Sequence, residues 1–436
     1  MKITVEDILS SAGTGRFQKR LLGIFGLVWA ADAMQVISTG FAARSISTTF
    51  GLSSSIALQT GTAFFFGMFI GASLFGALAD RYGRRKILLL TVTADVIFGL
   101  LSAFAHEFWI LLLFRFFTGA AVGGTLPVDY AMMAEFLPSQ KRGRWLVFLE
   151  GFWAVGTIMV SLVAWLADLF EAQEAWRWIF AINALPALIG LAFRFQIPES
   201  SLHLIRKNRW HEARQVFNKV LKTNGQPVLS EQYEIVWTKT VVKESLFSVT
   251  LKRRTILILL IWFLVSISYY GIFTWLPPQL IGEGFGFLRG YGFLVVTAFA
   301  QVPGYALAAY GVEAWGRRPT LIVFLLLSAT GCGLFTIFST PFMISVSILL
   351  MSFALLGTWG ALYAFTPELY PTSVRATGMG ASGAAARLGG ILAPSVLSFL
   401  FVQSFSGTIA LFAFFLVIAT IAAFMIDIET KAQALT

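Results

Sequence analysis

Residues Ile409 to Ile426 read IALFAFFLVIATIAAFMI, eighteen positions without one charge. A run of about 20 such residues is what a helix needs to cross the hydrocarbon core of a bilayer, where backbone groups must bond within their own segment. Twelve runs of this kind can be placed, beginning with Leu21–Ala43 and ending with this one, six on each side of a polar stretch. The 436 residues are 57% hydrophobic and 12% charged, so too little polar surface exists to coat a soluble body of this size. The chain is expected to be an all-α membrane protein of twelve transmembrane helices.

The two groups of six are copies. DRYGRR at Asp80 to Arg85 returns as EAWGRR at Glu313 to Arg318, and EFLPSQKR at Glu135 to Arg142 returns as ELYPTSVR at Glu368 to Arg375, both 233 positions later. Two matches at a single offset signal duplication. The expected organisation is a first six-helix bundle over 1–196, a cytoplasmic linker over 197–254 and a second six-helix bundle over 255–436.

Loop charge sets the orientation, because Lys and Arg gather on the cytoplasmic side. Arg84, Arg85, Lys86, Arg142, Arg206, Arg317, Arg318 and Arg375 fall on one side, whereas the other offers little beyond Arg44 and Arg289. Both termini are therefore expected in the cytoplasm. The net charge of +10 is topology, and no nucleic-acid partner is expected, since that would want a basic soluble domain. In the linker, SSLHLIRKNRWHEARQVFNKVL places Leu202, Ile205, Trp210, Ala213, Phe217 and Val220 near helical spacing among basic residues, which predicts an amphipathic helix at the inner leaflet. The first apolar run is too long for a signal peptide, and the single cysteine, Cys332, lies inside a span as a packing residue.

GALADRYGRR, between the second and third runs, resembles the signature loop of the major facilitator superfamily, and RFFTGAAVGG from Arg115 resembles its fourth-helix motif. A narrower resemblance rests on GRFQKRLLGIFGLVWAADAMQV, GGTLPVDYAMMAEFLPSQKRG, SYYGIFTWLPPQL and TWGALYAFTPELYPTSVRATG. These are similar to the bacterial nicotinate transporters and the related synaptic vesicle glycoprotein 2 branch. The resemblance implies the major facilitator fold, two bundles rocking about a central site. It also implies a gating role for Asp80, Arg84, Arg85, Glu135, Arg142, Glu313, Arg317, Glu368 and Arg375, with Asp80 and Glu313 pairing with arginines across the interface between halves. In the family, tryptophans matching Trp153 and Trp359, and the pair matching Tyr269 and Tyr270, line the central cavity. Two positions depart from the family pattern: Gln35, where the first helix usually carries Glu, and Thr125, where the fourth usually carries Asn.

Ionisable groups inside a bilayer cost about 2.5 to 3.5 kcal/mol at mid-membrane, so each needs a role or a partner. The first half supplies Asp32, Asp95, Asp129 and Glu150; the second supplies a fixed cation, Arg387. Arg387 reads as an anchor for an anionic substrate, since guanidinium stays charged and matches a carboxylate; the competing reading is a structural ion pair with an acid of another helix. Asp32 and Glu150 are the candidates for a titrating proton carrier, while Asp95 and Asp129 read as interhelical hydrogen-bond partners. A flat aromatic acid between Trp153 and Trp359, with Tyr269, Tyr270 and Tyr363 around it and Gln301, Tyr363 or Gln35 meeting its ring heteroatom, would be chemically coherent.

The expected function is thus an alternating-access importer of a small aromatic monocarboxylate, foremost nicotinate, by proton symport. The chain would work without a cofactor, as a monomer in the bilayer of a bacterial inner membrane. A carrier of benzoate-like acids or of an organic cation, or a receptor that binds without transporting, remain as alternatives. An enzyme is not expected: three histidines, one cysteine and no phosphate-cradling loop leave no catalytic constellation.

Overall fold

The computed structural model describes residues 2–170, 174–236, 245–282, 291–371, 374–401 and 404–430, with the side chains of 77, 80, 139, 140, 275, 278–282, 376, 394–401 and 405 outside the description. After a strand β1 (Lys2–Thr4) and a short helix α1 (Val5–Ala12), the first half is built from α2 (Arg16–Phe50), α3 (Ser54–Ala57), α4 (Gln59–Tyr82), α5 (Arg84–Ala103), α6 (Phe108–Glu135), α7 (Ser139–Leu169) and α8 (Ala175–Arg194). The linker carries α9 (Ser201–Arg206), α10 (Trp210–Thr223) and β2 (Glu234–Val236). The second half is built from α11 (Lys252–Gly282), α12 (Tyr291–Phe299), α13 (Gln301–Ala314), α14 (Arg317–Ile337), α15 (Pro341–Phe365), α16 (Arg375–Phe401) and α17 (Phe405–Met425). Eleven of these segments are long and apolar enough to cross a membrane, and α16, 27 residues long, fills the twelfth position.

The duplication read in the sequence is a duplication of packing. In the first half α4 lies on α6, α5 on α6, α2 on α7 and α8, and α5 on α8; in the second α13 lies on α15, α14 on α15, α11 on α16 and α17, and α14 on α17. Small residues let these helices approach closely. A Cβ at Gly67 or Gly71 of α4 would overlap the carbonyl oxygens of Phe116 and Ala120 on α6, and one at Gly304 of α13 would overlap that of Phe353 on α15.

Between halves, α2 meets α11, α4 meets α16, and α7 meets α12, α13 and α15. The contacts at Gly40 with the Thr274 carbonyl and at Gly292 with Trp165 lie toward the end of the bundle opposite the arginine loops. There Tyr291 also donates to the carbonyl of Phe41 at 3.4 Å.

Two local expectations differ. The eighth span is two helices, α12 and α13, because Pro303 has no N–H to give and its ring crowds the carbonyl four residues back, at Phe299. The linker helix likewise breaks into α9 and α10 at Asn208, whose φ is 58°. That break resets the phase: Ala213, Phe217 and Val220 are buried as expected, while Trp210 is 40% exposed. Parallel pairing of β1 with β2 ties the amino terminus to this linker, a two-stranded addition to an otherwise helical chain.

Candidate functional site

At the centre, where both halves meet, one cavity is lined by Trp29 of α2, Leu126 of α6, Glu150 and Trp153 of α7, Tyr269 and Tyr270 of α11, Tyr305 of α13, Trp359 and Tyr363 of α15, and Arg387 of α16. Glu150 and Trp153 share a face at three-residue spacing, as Trp359 and Tyr363 do at four. The aromatic wall is braced. Trp153 Nε1 donates to Tyr269 Oη at 2.8 Å, and Trp359 stands edge-on to Trp262 with centroids 5.3 Å apart. Trp262 is fixed in turn by donating to Thr366 Oγ1 at 2.9 Å. On the side of the arginine loops, Tyr130 and Tyr363 close over the cavity across the two halves, centroids 5.6 Å apart. The free volume is ≈ 20 Å³, the room that one water needs, so this is a contracted state that must widen to admit a ring.

Four polar atoms at this cavity are unsatisfied. Arg387 is 8% exposed, makes no ion pair among the described residues, and donates through Nη1 to the Gly383 carbonyl of its own helix at 3.4 Å, with the Tyr363 hydroxyl beside it. Arg387 Nε, Trp29 Nε1, Trp359 Nε1 and Glu150 Oε1 have no hydrogen-bond partner. Buried donors of this kind are normally paired, and three of them converge with a carboxylate oxygen on one space.

Seven of the expected residues therefore share the cavity: Arg387, Trp153, Trp359, Tyr363, Tyr269, Tyr270 and Glu150. Asp32, Gln35 and Gln301 do not line it. Gln35 is six residues beyond Trp29, about 240° around α2, and accepts from Arg115 Nη1 through Oε1 at 2.7 Å and through its carbonyl from Nη2 at 2.6 Å. Gln301 shares the face of Tyr305 but lies four residues, about 6 Å, further along, with both amide atoms buried and unpartnered. Asp32 is fully buried in the first half, within electrostatic reach of Asp95, Asp129, Arg194 and Arg387. Asp129 is ion-paired with Arg194. Trp29, Tyr305, Trp262 and Arg194 were not singled out by the sequence, where lone aromatics among 15% aromatic residues carry no distinguishing pattern.

The arginine loops are held within each half. Arg84 pairs with Glu135, and Arg317 Nε and Nη2 with Glu368 at 3.0 and 3.1 Å. Cross-interface pairing of the loop acids is not found among the described residues: Glu313 is exposed with no ion pair to a described residue, and the Asp80 side chain lies outside the description. Arg84 and Arg317 are instead paired by Glu135 and Glu368, from the end of the fourth span and its counterpart in the same half. Arg142 bonds the carbonyls of Ala134 and Leu137 at 3.1 and 3.2 Å, and Arg375 bonds Pro367 and Tyr370 at 2.8 and 3.3 Å, the same positions one repeat on. Arg85 Nη2 donates to the Phe195 carbonyl at 2.9 Å.

These geometries can be set beside known proteins. Residues 22–436 match the family model described as "Sugar (and other) transporter". The chain is 34% identical over 424 residues to the niacin transporter NiaP of Acinetobacter baylyi, covering 97% of this chain and 96% of that one. To the putative niacin/nicotinamide transporter NiaP of Bacillus subtilis it is 33% identical, covering 95% and 97%, and to the synaptic vesicle 2-related protein of Xenopus laevis 30%, covering 99% and 82%. Among solved structures, the partially occluded inward-open xylose transporter XylE from E. coli superposes with a TM-score of 0.75 at 19% identity, covering 96% of this chain and 99% of that one. A structure of the same proton:xylose symporter bound to a bromo-deoxyglucose gives 0.72 at 20% identity, covering 96% and 97%. Twelve spans in two repeated bundles around a closed polar-aromatic cavity, matched over nearly the whole chain, are those of a multi-pass membrane transporter and not an enzyme: the chain has the major facilitator fold and belongs to the sugar (and other) transporter family.

Proposed function

We propose that the protein imports a small aromatic monocarboxylate, nicotinate foremost, across a bacterial inner membrane with both termini in the cytoplasm, by alternating access coupled to protons. The observation that carries this is Arg387: a cation with no acid paired to it among the described residues, at a cavity otherwise walled by indole and phenol rings. A carboxylate would meet the guanidinium in a charge-assisted, two-point contact, and a flat ring would fill the space between Trp153 and Trp359. The niacin transporters at 33 to 34% identity support the same substrate class. The test is nicotinate binding to purified protein with nicotinamide and benzoate as competitors, followed by uptake into proteoliposomes. Saturable binding of nicotinate but not of neutral nicotinamide is the expected result; absence of any saturable uptake sinks the proposal, and binding without flux would leave a receptor.

Glu150 favours a second reading. Its carboxylate, with one oxygen unpartnered beside several rings, would suit an organic cation. The two readings part at Arg387→Ala, which abolishes binding of an acid but relieves repulsion of a cation.

A further inference from the structure

Behind the cavity, α2 and α5 touch where the Gln35 side chain lies against Gly99. One turn back along each helix stand Asp32 and Asp95, 0% and 1% exposed, and none of their four carboxyl oxygens has a hydrogen-bond partner. Val28, Ala31, Val92, Val96 and Ala187 form a separate apolar cluster against the same stretch of α2, α5 and α8, which shuts water out.

The neighbouring charges do not settle this pair. Asp32 is within electrostatic reach of Asp95 on α5, Asp129 on α6, Arg194 on α8 and Arg387 on α16; Asp95 is within reach of Arg115 on α6. Arg194 is engaged by Asp129. Arg115 directs both terminal nitrogens to Gln35, stacks on Phe64 and Phe180 with centroids 4.5 and 4.6 Å away, and makes no ion pair with a described acid. Glu150, on α7, is likewise within electrostatic reach of Arg387.

Neither carboxylate thus has an ion-pair partner or a hydrogen-bond donor among the described residues. A bare carboxylate in a dry interior is strongly unfavourable, and two side by side more so. One proton removes a charge and supplies the missing donor, forming an O–H bond on one aspartate that points at the other. No group of three or more His, Cys, Asp or Glu that could hold a metal occurs among the described residues, so a proton fits better than a metal cation. We propose that Asp32 and Asp95 together bind one shared proton, and that this pair, rather than Glu150 alone, is where the proton of the transport cycle resides. Its coupling to uptake rests on the transport reading above; the protonation itself does not.

Infrared titration of the purified full chain in detergent reads the C=O stretch of protonated carboxyl groups without any substrate. The wild type is expected to carry such a band at neutral pH, lost in Asp32→Asn and in Asp95→Asn, kept but shifted in Asp95→Glu, and unchanged in Glu150→Gln. Its absence from the wild type, or its persistence unaltered in Asp95→Asn, overturns the proposal. Loss of the band when sodium chloride replaces potassium chloride overturns it too, since a metal cation would then be the occupant. Failure of nicotinate to bind or move would sink the transport reading and leave this result standing.

Discussion

Glu199 and Glu429 do the same work one repeat apart. Glu199 accepts the backbone N–H groups of Arg84 and Arg85 at 3.1 and 3.2 Å; Glu429 accepts those of Arg317 and Arg318 at 2.9 and 3.0 Å. Each carboxylate caps the first turn of a helix, where N–H groups are orphaned and the dipole favours negative charge. The hydroxyl that follows, Ser200 or Thr430, donates to Glu135 or Glu368. The glycine before each arginine pair has φ of 109° or 111°, and a Cβ there would meet the capping carboxylate at 2.6 or 2.8 Å, which is why the loop reads Gly-Arg-Arg twice. Glu199→Ala and Glu429→Ala should each destabilise by about 1 to 2 kcal/mol, and to a similar degree, read as matched drops in melting temperature of the detergent-solubilised protein. A drop in only one would show that the two clamps are not equivalent.

This clamp also marks the limit of what the sequence could disclose. The repeat was legible because two motifs share the offset of 233, but Glu199 and Glu429 are 230 apart, out of step by one short loop difference. Depth along a helix was readable from residue counts, and it brought Arg387, Trp153, Trp359 and the tyrosines together. Rotation was less readable: Gln35 is at a plausible depth but on the wrong face of α2, and Gln301 on the right face one turn too far. Ion-pair partners depend on which helices pack, so Asp129 with Arg194, from α6 and α8, had no local signal.

That buried pair makes a stability prediction. Asp129 and Arg194 side chains are 0% and 2% exposed, so Asp129→Asn leaves a buried guanidinium without its counter-charge and should cost about 3 to 5 kcal/mol. The double change Asp129→Leu with Arg194→Met removes both charges and should recover most of the loss. Equal damage from the single and the double variant in thermal unfolding would mean that the pair is not the source.

Glycines on α4 separate packing from mere helix content. Gly71 abuts the Ala120 backbone, whereas a Cβ at Gly76 would meet nothing within 4 Å. Gly71→Ala should therefore prevent a well-dispersed folded protein, while Gly76→Ala should be neutral or stabilising by up to about 1 kcal/mol, since alanine is the better helix former. Size-exclusion profiles of the two variants decide it.

Arg387→Lys keeps the charge but loses the planar two-point fork. If the guanidinium clasps a carboxylate, this change should weaken nicotinate binding at least about tenfold and Arg387→Ala about a hundredfold or more, taking each charged hydrogen bond as about 1.5 to 3 kcal/mol. Trp359→Phe, which retains a ring but not the unpartnered N–H, should cost less than Trp359→Ala. Calorimetric titration gives all four values, and unchanged affinity in Arg387→Ala would remove the anchor from the mechanism.

The charge count of the transported pair yields a last test. A monoanion moving with one proton carries no net charge across the membrane, so a diffusion potential alone should not drive accumulation in proteoliposomes. A pH gradient should: one unit is worth 1.36 kcal/mol, a tenfold concentration ratio. Accumulation is therefore expected with the outside acidic and to disappear when the gradient is collapsed by a protonophore under a clamped potential. Uptake that instead follows an imposed potential at equal pH would mean that more than one proton, or a cationic substrate, crosses in each cycle, and Glu150 facing Arg387 across the cavity would then be the first place to look for the second charge.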